Sequence, residues 1–391
     1  MRQHRKGSLR TPIALAFAAI FTIPAAGCGG DSAPTGPGGP GGPGQVSGQI
    51  VYSRARNVSG EIIPVLAESG SGFDRNEVDS PAIAVDSGRP GGDKFLLYYE
   101  AVGTQGTVIG LVSSAEEDLL PLTIGRTLVV GTGAPASGYS FAATDPTVLV
   151  DKRPAEAAER YKMWFEGRSG TTGQTSTILY GTSADGVTWS SFTPCTGLTA
   201  AFASVRVADP CVILQGDTYK MWFEAINTTN GADDGPGRIG YAESADGIAW
   251  VIEDAAGNTG PSAGPVFSPG SAAFDAYSVN APSVVHDPAA SPAFHMWYEA
   301  GDQAGDVLNT IGYATSSNGL TWSRASLPVL APSSDLLVPL PFDSGDLEHP
   351  AASIDASIPA GTEGHFLLWY TGDSEGSATP NRIGLAKGYK P

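Results

Sequence analysis

YKMWFEG (161–167), YKMWFEA (219–225), FHMWYEA (294–300) and FLLWYTG (366–372) are four copies of one apolar strand. FLLYYEA (95–101) is a fifth, with Tyr98 in place of Trp. The strand tryptophans Trp164, Trp222, Trp297 and Trp369 are 58, 75 and 72 residues apart, and Tyr98 precedes Trp164 by 66. The remaining tryptophans, Trp189, Trp250 and Trp322, each follow a turn, in TSADGVTW (182–189), ESADGIAW (243–250) and TSSNGLTW (315–322). Self-similarity at this period signals stacked supersecondary units.

Each unit reads as four short strands. The first opens at a proline, in DSPAIAV (79–85), TDPTVLV (144–150), ADPCVIL (208–214), NAPSVVH (280–286) and EHPAASI (348–354). The second is the aromatic strand. The third is IGLVSS (109–114), ILYGTS (178–183), IGYAES (239–244), IGYATS (311–316) or IGLAKG (383–388). The fourth follows Asp185-Gly186, Asp246-Gly247 or Asn318-Gly319, dipeptides that fit a two-residue hairpin with positive φ. β-branched and aromatic enrichment favours strands over helices.

Five such units predict an all-β, five-bladed propeller of four-stranded blades. The last copy stops after its third strand. VYSRARNVSGEIIPVLA (51–67) resembles TWSRASLPVLA (321–331), so the N-terminal segment, 47–69, is expected to supply the missing strand and close the ring. An open solenoid would need capping units and has no use for a split copy.

Residues 1–27 read as a secretory leader: Arg2, Arg5, Lys6 and Arg10, then IALAFAAIFTI (13–23), then Ala25-Ala26-Gly27. Cys28 follows at once, so the segment resembles a bacterial lipoprotein signal with Cys28 as the acylated residue. Ordinary cleavage leaving a free Cys28 is the alternative. The apolar run is too short for a good membrane span. Residues 28–46 are a Gly/Pro-rich tether with nothing to bury. Residues 47–391 form one propeller domain. The expected location is the cell envelope, at the outer membrane or cell surface, with membrane attachment through the lipid anchor only.

The formal net charge is −18 at pH 7, and removal of the basic leader makes it more negative. That balance argues against nucleic acid as a partner. Cys195 and Cys211 flank the connector between the second and third blades. An exported location permits a disulfide there, and two small buried thiols are the alternative.

Strand direction locates the working face. The first strands begin on the face that carries the second-to-third loops, which are long and dissimilar, and such loops on a rigid scaffold carry function. Asp79, Asp145, Asp209 and Glu348 lie one or two residues before the strand prolines, and Asn280 takes that place in the fourth blade. Crowded carboxylates repel, so the ring fits acid–base work or a cation better than it fits stability. Asp before Pro is also ordinary turn chemistry. Glu100, Glu166, Glu224 and Glu299, with Thr371, form a second set at the ends of the aromatic strands, placed to bond sugar hydroxyls or backbone amides. His349 could reach the channel as ligand or donor. The tryptophans read as inter-blade core. No zinc-ligand spacing or phosphate-binding glycine loop occurs.

These motifs resemble, over residues 47–391, the five-bladed propeller glycoside hydrolases: arabinanases, β-xylosidases, invertases, levansucrases and the related mannoside phosphorylases. Asp145-Pro146, Asp209-Pro210 and Glu348-His349-Pro350 match that group's Asp-Pro, Asp-Pro and Glu-x-Pro shapes in chain order. The resemblance implies a base or nucleophile at Asp145, an orienting Asp209 and a general acid at Glu348, with Asp79 as contender for the base. Counted by blade, Asn280 stands where the acid belongs, so either Glu348 supplies it from the fifth blade or the site is degenerate. Glu166, Glu224, Glu299, Asn280 and His349 are the expected sugar-binding residues. The expected partner is carbohydrate and the expected state a monomer. No cofactor is expected beyond a structural calcium in the channel. The turn motif also resembles the sialidase aspartate box, one residue short. A glycosidase, a non-catalytic glycan-binding propeller and a protein-interaction scaffold all remain compatible with the sequence.

Overall fold

The computed structural model describes residues 50–391 apart from 58, 117–124, 134–138, 154–157, 171–174, 228, 231–232, 235, 304–307, 335–340, 356, 360, 375–379 and 391. The leader, Cys28 and the tether lie outside the described residues. Among those described, the regular structure is strand, with short 3-10 turns only.

Five antiparallel sheets carry the repeat. Their first strands are Glu77–Val85, Ala142–Val150, Arg206–Gln215, Ser278–His286 and Leu347–Ile354. Each pairs with its aromatic strand, from Phe95–Gly103 in the first blade to Phe366–Gly372 in the fifth, and each aromatic strand pairs with the third. Blades one and two also touch through a parallel bridge, Thr107 to Ala142. The fourth strands are short, as at Thr193–Pro194, Val251–Ile252 and Ser323–Arg324.

The fifth blade takes its outer strand from the N-terminal segment. Val51–Arg54 runs antiparallel to the last strand, with Val51 opposite Tyr389 and Arg54 opposite Ala386. The chain then loops out and returns, with Leu66 bridging Ile383. Leu330 bridges Ile311 in blade four and Phe267 bridges Ile239 in blade three in the same way. The likeness of 51–67 to 321–331 therefore reflects one structural role.

Packing closes the ring. Five apolar clusters fill five blade boundaries, and one of them joins Trp369, Leu367 and Leu385 of the last blade to Val78, Leu97 and Tyr99 of the first. An open stack of five blades would have one boundary fewer. Trp164, Trp222, Trp297 and Trp369 are fully buried at these boundaries, where truncating one to Ala would cost ~3–5 kcal/mol.

The turns after the third strands of blades two, three and four depart from the expected two-residue hairpin. Only the glycine is left-handed, at φ 75° for Gly186, 79° for Gly247 and 78° for Gly319. A two-residue type I′ turn would need Asp185, Asp246 and Asn318 left-handed too. Instead Asp185 Oδ1 accepts from Val187 N and Thr188 N, and Ser183 Oγ accepts from Gly186 N, making a wider turn closed by side chains. Its glycine carbonyl projects toward the preceding blade. Tyr98 Oη donates to Gly186 O at 2.7 Å, Trp164 Nε1 to Gly247 O at 2.8 Å and Trp222 Nε1 to Gly319 O at 2.8 Å. The box-like motif is thus an inter-blade staple.

A second repeated device escaped the sequence reading. Asp74, Asp275 and Asp343 sit in GFD, AFD and PFD segments just before three first strands. Each accepts from a tyrosine of its own aromatic strand, Tyr99, Tyr298 or Tyr370, and pairs with an arginine at its outer strand, Arg126, Arg324 or Arg54. The disulfide is not formed. Cys195 Sγ contacts Gly247 O while Cys211 Sγ contacts Val284 O, at different blade boundaries. Burial pushes the two thiols up, to about 12 and about 11.

Candidate functional site

Every first strand breaks register at its proline. The residue before the proline is left-handed in all five blades: Ser80 (φ 44°), Asp145 (50°), Asp209 (45°), Ala281 (42°) and His349 (46°). Proline has no N–H for the ladder, so the strand accommodates it in a bulge. The bulge re-aims one side chain per blade toward the axis.

This splits the expected ring of Asp79, Asp145, Asp209 and Glu348 into two tiers. Asp145 and Asp209 occupy the re-aimed position, and they meet His349 there. His349 Nε2 lies 3.8 Å from Asp145 Oδ1 and 3.8 Å from Asp209 Oδ1, while Nδ1 lies 3.1 Å from Asp79 Oδ1. Asp79, Asn280 and Glu348 sit one residue earlier, opposite Glu100, Glu299 and Thr371 of the aromatic strands. Adjacent strand residues point to opposite faces, so one position decides which tier a side chain joins. His349, expected to reach the channel as ligand or donor, stands where Asp79, Asp145 and Asp209 meet.

Asp79 leans toward the fifth blade, accepting from Thr371 Oγ1 at 2.7 Å and Asn381 Nδ2 at 3.0 Å. Ser80 Oγ donates to Asp145 Oδ1 at 2.8 Å. Glu348 is half-buried and accepts from Asn309 Nδ2 at 3.3 Å. It lines a small polar recess with Asp346, Thr371, Asp373 and Asn381.

The second carboxyl set differs from blade to blade. Glu166 is sealed and clamped by Arg206, at 2.6 and 3.0 Å, and by Arg168 at 3.1 Å. Glu299 accepts from Asn280 Nδ2, Asn309 Nδ2 and His349 N. Glu166, Glu224 and Glu299 are at most 1 % exposed, so the expected direct bonding of these three to sugar is not what this conformation offers. Arg168 and Arg206 went unread, although Arg168 follows Glu166 by two residues and so shares its strand face.

Titration follows the packing. Burial opposes ionisation of Glu166, but Arg206 and Arg168 hold its carboxyl well below the usual range. Burial, then Asp145 and Glu224, push Asp209 well above it. Burial disfavours the charged imidazole of His349, yet Asp79, Glu299 and Asp209 raise it well above its ordinary value. The surrounding carboxylates thus favour the charged form of the imidazole. The residues whose donor atoms could hold a cation are Asp79, Glu348 and His349 in one group and Asp145, Asp209 and His349 in another, with donors within 4.8 Å of one another in each.

No family model matches the chain, and no curated protein does. Solved structures do match. The catalytic domain of a GH62 α-L-arabinofuranosidase from Coprinopsis cinerea superposes with a TM-score of 0.60 at 12% identity, covering 88% of this chain and 98% of that one. A structure from the GH130 mannoside phosphorylases, a family containing glycoside hydrolases that target β-1,2 mannosidic linkages in Candida mannan, gives 0.58 at 13% identity, covering 89% and 96%. An N-acetylgalactosamine deacetylase from F. plautii, in complex with blood group B trisaccharide, gives 0.52 at 15% identity, covering 83% and 95%. At this identity the likeness establishes the fold alone, a β-propeller shared with glycoside hydrolases.

Proposed function

We propose that the chain is a carbohydrate-active propeller, a glycoside hydrolase acting on plant or microbial poly- or oligosaccharide and held at the bacterial envelope through Cys28. The observation that carries this reading is the convergence of Asp79, Asp145 and Asp209 on His349 beside the half-buried Glu348. Glycosidic hydrolysis requires two positioned carboxyls, one giving a proton to the leaving oxygen and one accepting from water or bonding the sugar carbon. Crowding these acids adds nothing to stability, and it raises the proton affinity of one of them: burial, then Asp145 and Glu224, push Asp209 well above the usual range.

Hydrolysis of α-L-arabinofuranosides and β-mannosides by the wild-type protein, set against Asp145→Asn, Asp209→Asn and Glu348→Gln, tests the reading. Activity should fall at least ~10²-fold in at least one of them, in line with removal of acid–base catalysis. A wild-type protein inert on the whole panel would leave the second reading, a glycan-binding propeller. Asn280 at the blade-four position favours that reading, because an amide cannot act as a carboxylic acid.

A further inference from the structure

We propose that Glu100, on the aromatic strand of blade one, is the proton donor of this site and that Glu348 is the carboxyl working with it. The inference rests on the glycosidase reading and concerns which acids meet the substrate.

A reacting carboxyl must be reachable. Asp79 is 5 % exposed, Asp145 8 % and Asp209 6 %, and Glu166, Glu224 and Glu299 are sealed. Of the carboxyls at the bulges and across from them, Glu100 and Glu348 alone are partly exposed. Commitment to neighbours separates them further. Asp79 holds Thr371 and Asn381, Asp145 holds Ser80, Glu166 is taken by two arginines, and Glu299 holds two asparagines. The Glu100 carboxyl makes no hydrogen bond among the described residues.

Position supports the same assignment. Glu100 stands directly opposite Asp79 across the strand pair, and Asp79 in turn lies within 4.8 Å of a Glu348 oxygen. Glu100 and Glu348 thus flank the Asp79–His349 pair from blades one and five. The groups facing Glu100 are Asp145, Asp79, His349 and Arg168; burial, then Asp145 and Asp79, push its carboxyl well above the usual range. Arg168, the guanidinium that acts on Glu100, is spent on Glu166. Glu100 is therefore the blade-one counterpart of Glu166 with the neutralising clamp removed. It also answers the substitution at Asn280, since the proton can come from the adjacent strand of another blade.

In the step this implies, the Glu100 carboxyl passes its proton to the glycosidic oxygen as the C–O bond breaks, and that bond's electron pair leaves on the oxygen as an alcohol. Water supplies the hydroxyl to the sugar carbon and its remaining proton to Glu348. Transfer of that proton through solvent to Glu100 restores the start.

The test compares wild type with Glu100→Gln on methyl and 2,4-dinitrophenyl glycosides of whichever series, arabinofuranoside or mannoside, the wild type cleaves. The methyl glycoside needs protonation to leave and the dinitrophenyl one does not. Kcat for the methyl glycoside should fall ~10²–10⁴-fold with KM little changed. The dinitrophenyl substrate should stay within about tenfold of wild type, because its departure bypasses general acid catalysis. Equal loss on both substrates, or no loss on either, overturns the role of Glu100 and leaves the glycosidase reading standing. Failure of the wild type on both series overturns both. If Glu100→Gln does not fold, Glu100→Asp keeps a proton donor one methylene shorter. It should lose activity on the methyl glycoside selectively, and an even loss overturns the assignment.

Discussion

Replacing Glu77 by Gln should make the protein more stable, by an amount that grows from about pH 4.5 and is complete above about pH 7. Glu77 opens the first strand of blade one, and burial, then Asp79, raise its carboxyl from 4.5 to about 7, with Asp373 contributing. A folded-state value above the unfolded one means the folded chain holds this proton more tightly. The resulting stability is full below about 4.5 and lost as pH rises through about 7. At 1.36 kcal/mol per pH unit the full effect would be about 3.4 kcal/mol. Glu77 is half-buried, so solvent screening reduces this to roughly 2 kcal/mol. Urea unfolding at pH 4 should give Glu77→Gln and wild type the same free energy. At pH 8.5 the variant should be about 2 kcal/mol more stable. Parallel stability–pH curves for the two proteins would refute this account of the Glu77 carboxyl.

Three further outcomes are expected. Arg54→Met strands the fully buried Asp343, so it should cost about 3 kcal/mol, and Arg54→Met/Asp343→Asn should recover part of that; a loss no larger than that of the exposed Arg75→Met means the N-terminal strand is not locked as described. Tyr98→Phe removes the staple to Gly186 O and should lower unfolding free energy by about 1–2 kcal/mol, an expectation that fails if the melting curve is unmoved. Cys28→Ser should shift the full-length protein out of the detergent phase, and unchanged partitioning would rule out the lipid anchor.

The fold was legible because a repeat states the same fact five times. Trp164, Trp222, Trp297 and Trp369 marked the boundaries between blades, and the partial copy at 51–67 disclosed closure. The site was legible only as a set of residues. Asp79 in Asp-Ser-Pro and Asp145 in Asp-Pro look alike on the page, yet the bulge sends them to different tiers. That difference is a backbone rotation at the residue before proline, and period-2 reasoning does not contain it. His349 was underestimated for the same reason: Glu348 carried the expected chemistry, and its neighbour holds the re-aimed position. The Asp74, Asp275 and Asp343 triads had a visible signal in the Phe-Asp repeats, but their arginine partners are far away in sequence. In blade five Arg54 and Asp343 come from opposite ends of the chain.

The five left-handed residues have an evolutionary consequence. Only aspartate, asparagine and glycine enter that conformation readily, yet serine, alanine and histidine occupy it here alongside two aspartates. Strain of this kind costs ~1–3 kcal/mol per residue and persists only where the surroundings impose it. The proline bulge therefore dictates the aim, and the side chain is free to vary. Each blade presents a socket accepting acid, base, hydroxyl or methyl without a change in the strands behind it. Chemistry in such a scaffold can be re-tooled one point substitution at a time. Architecture then outlives sequence, as the 12% to 13% identities to structures that share this fold illustrate.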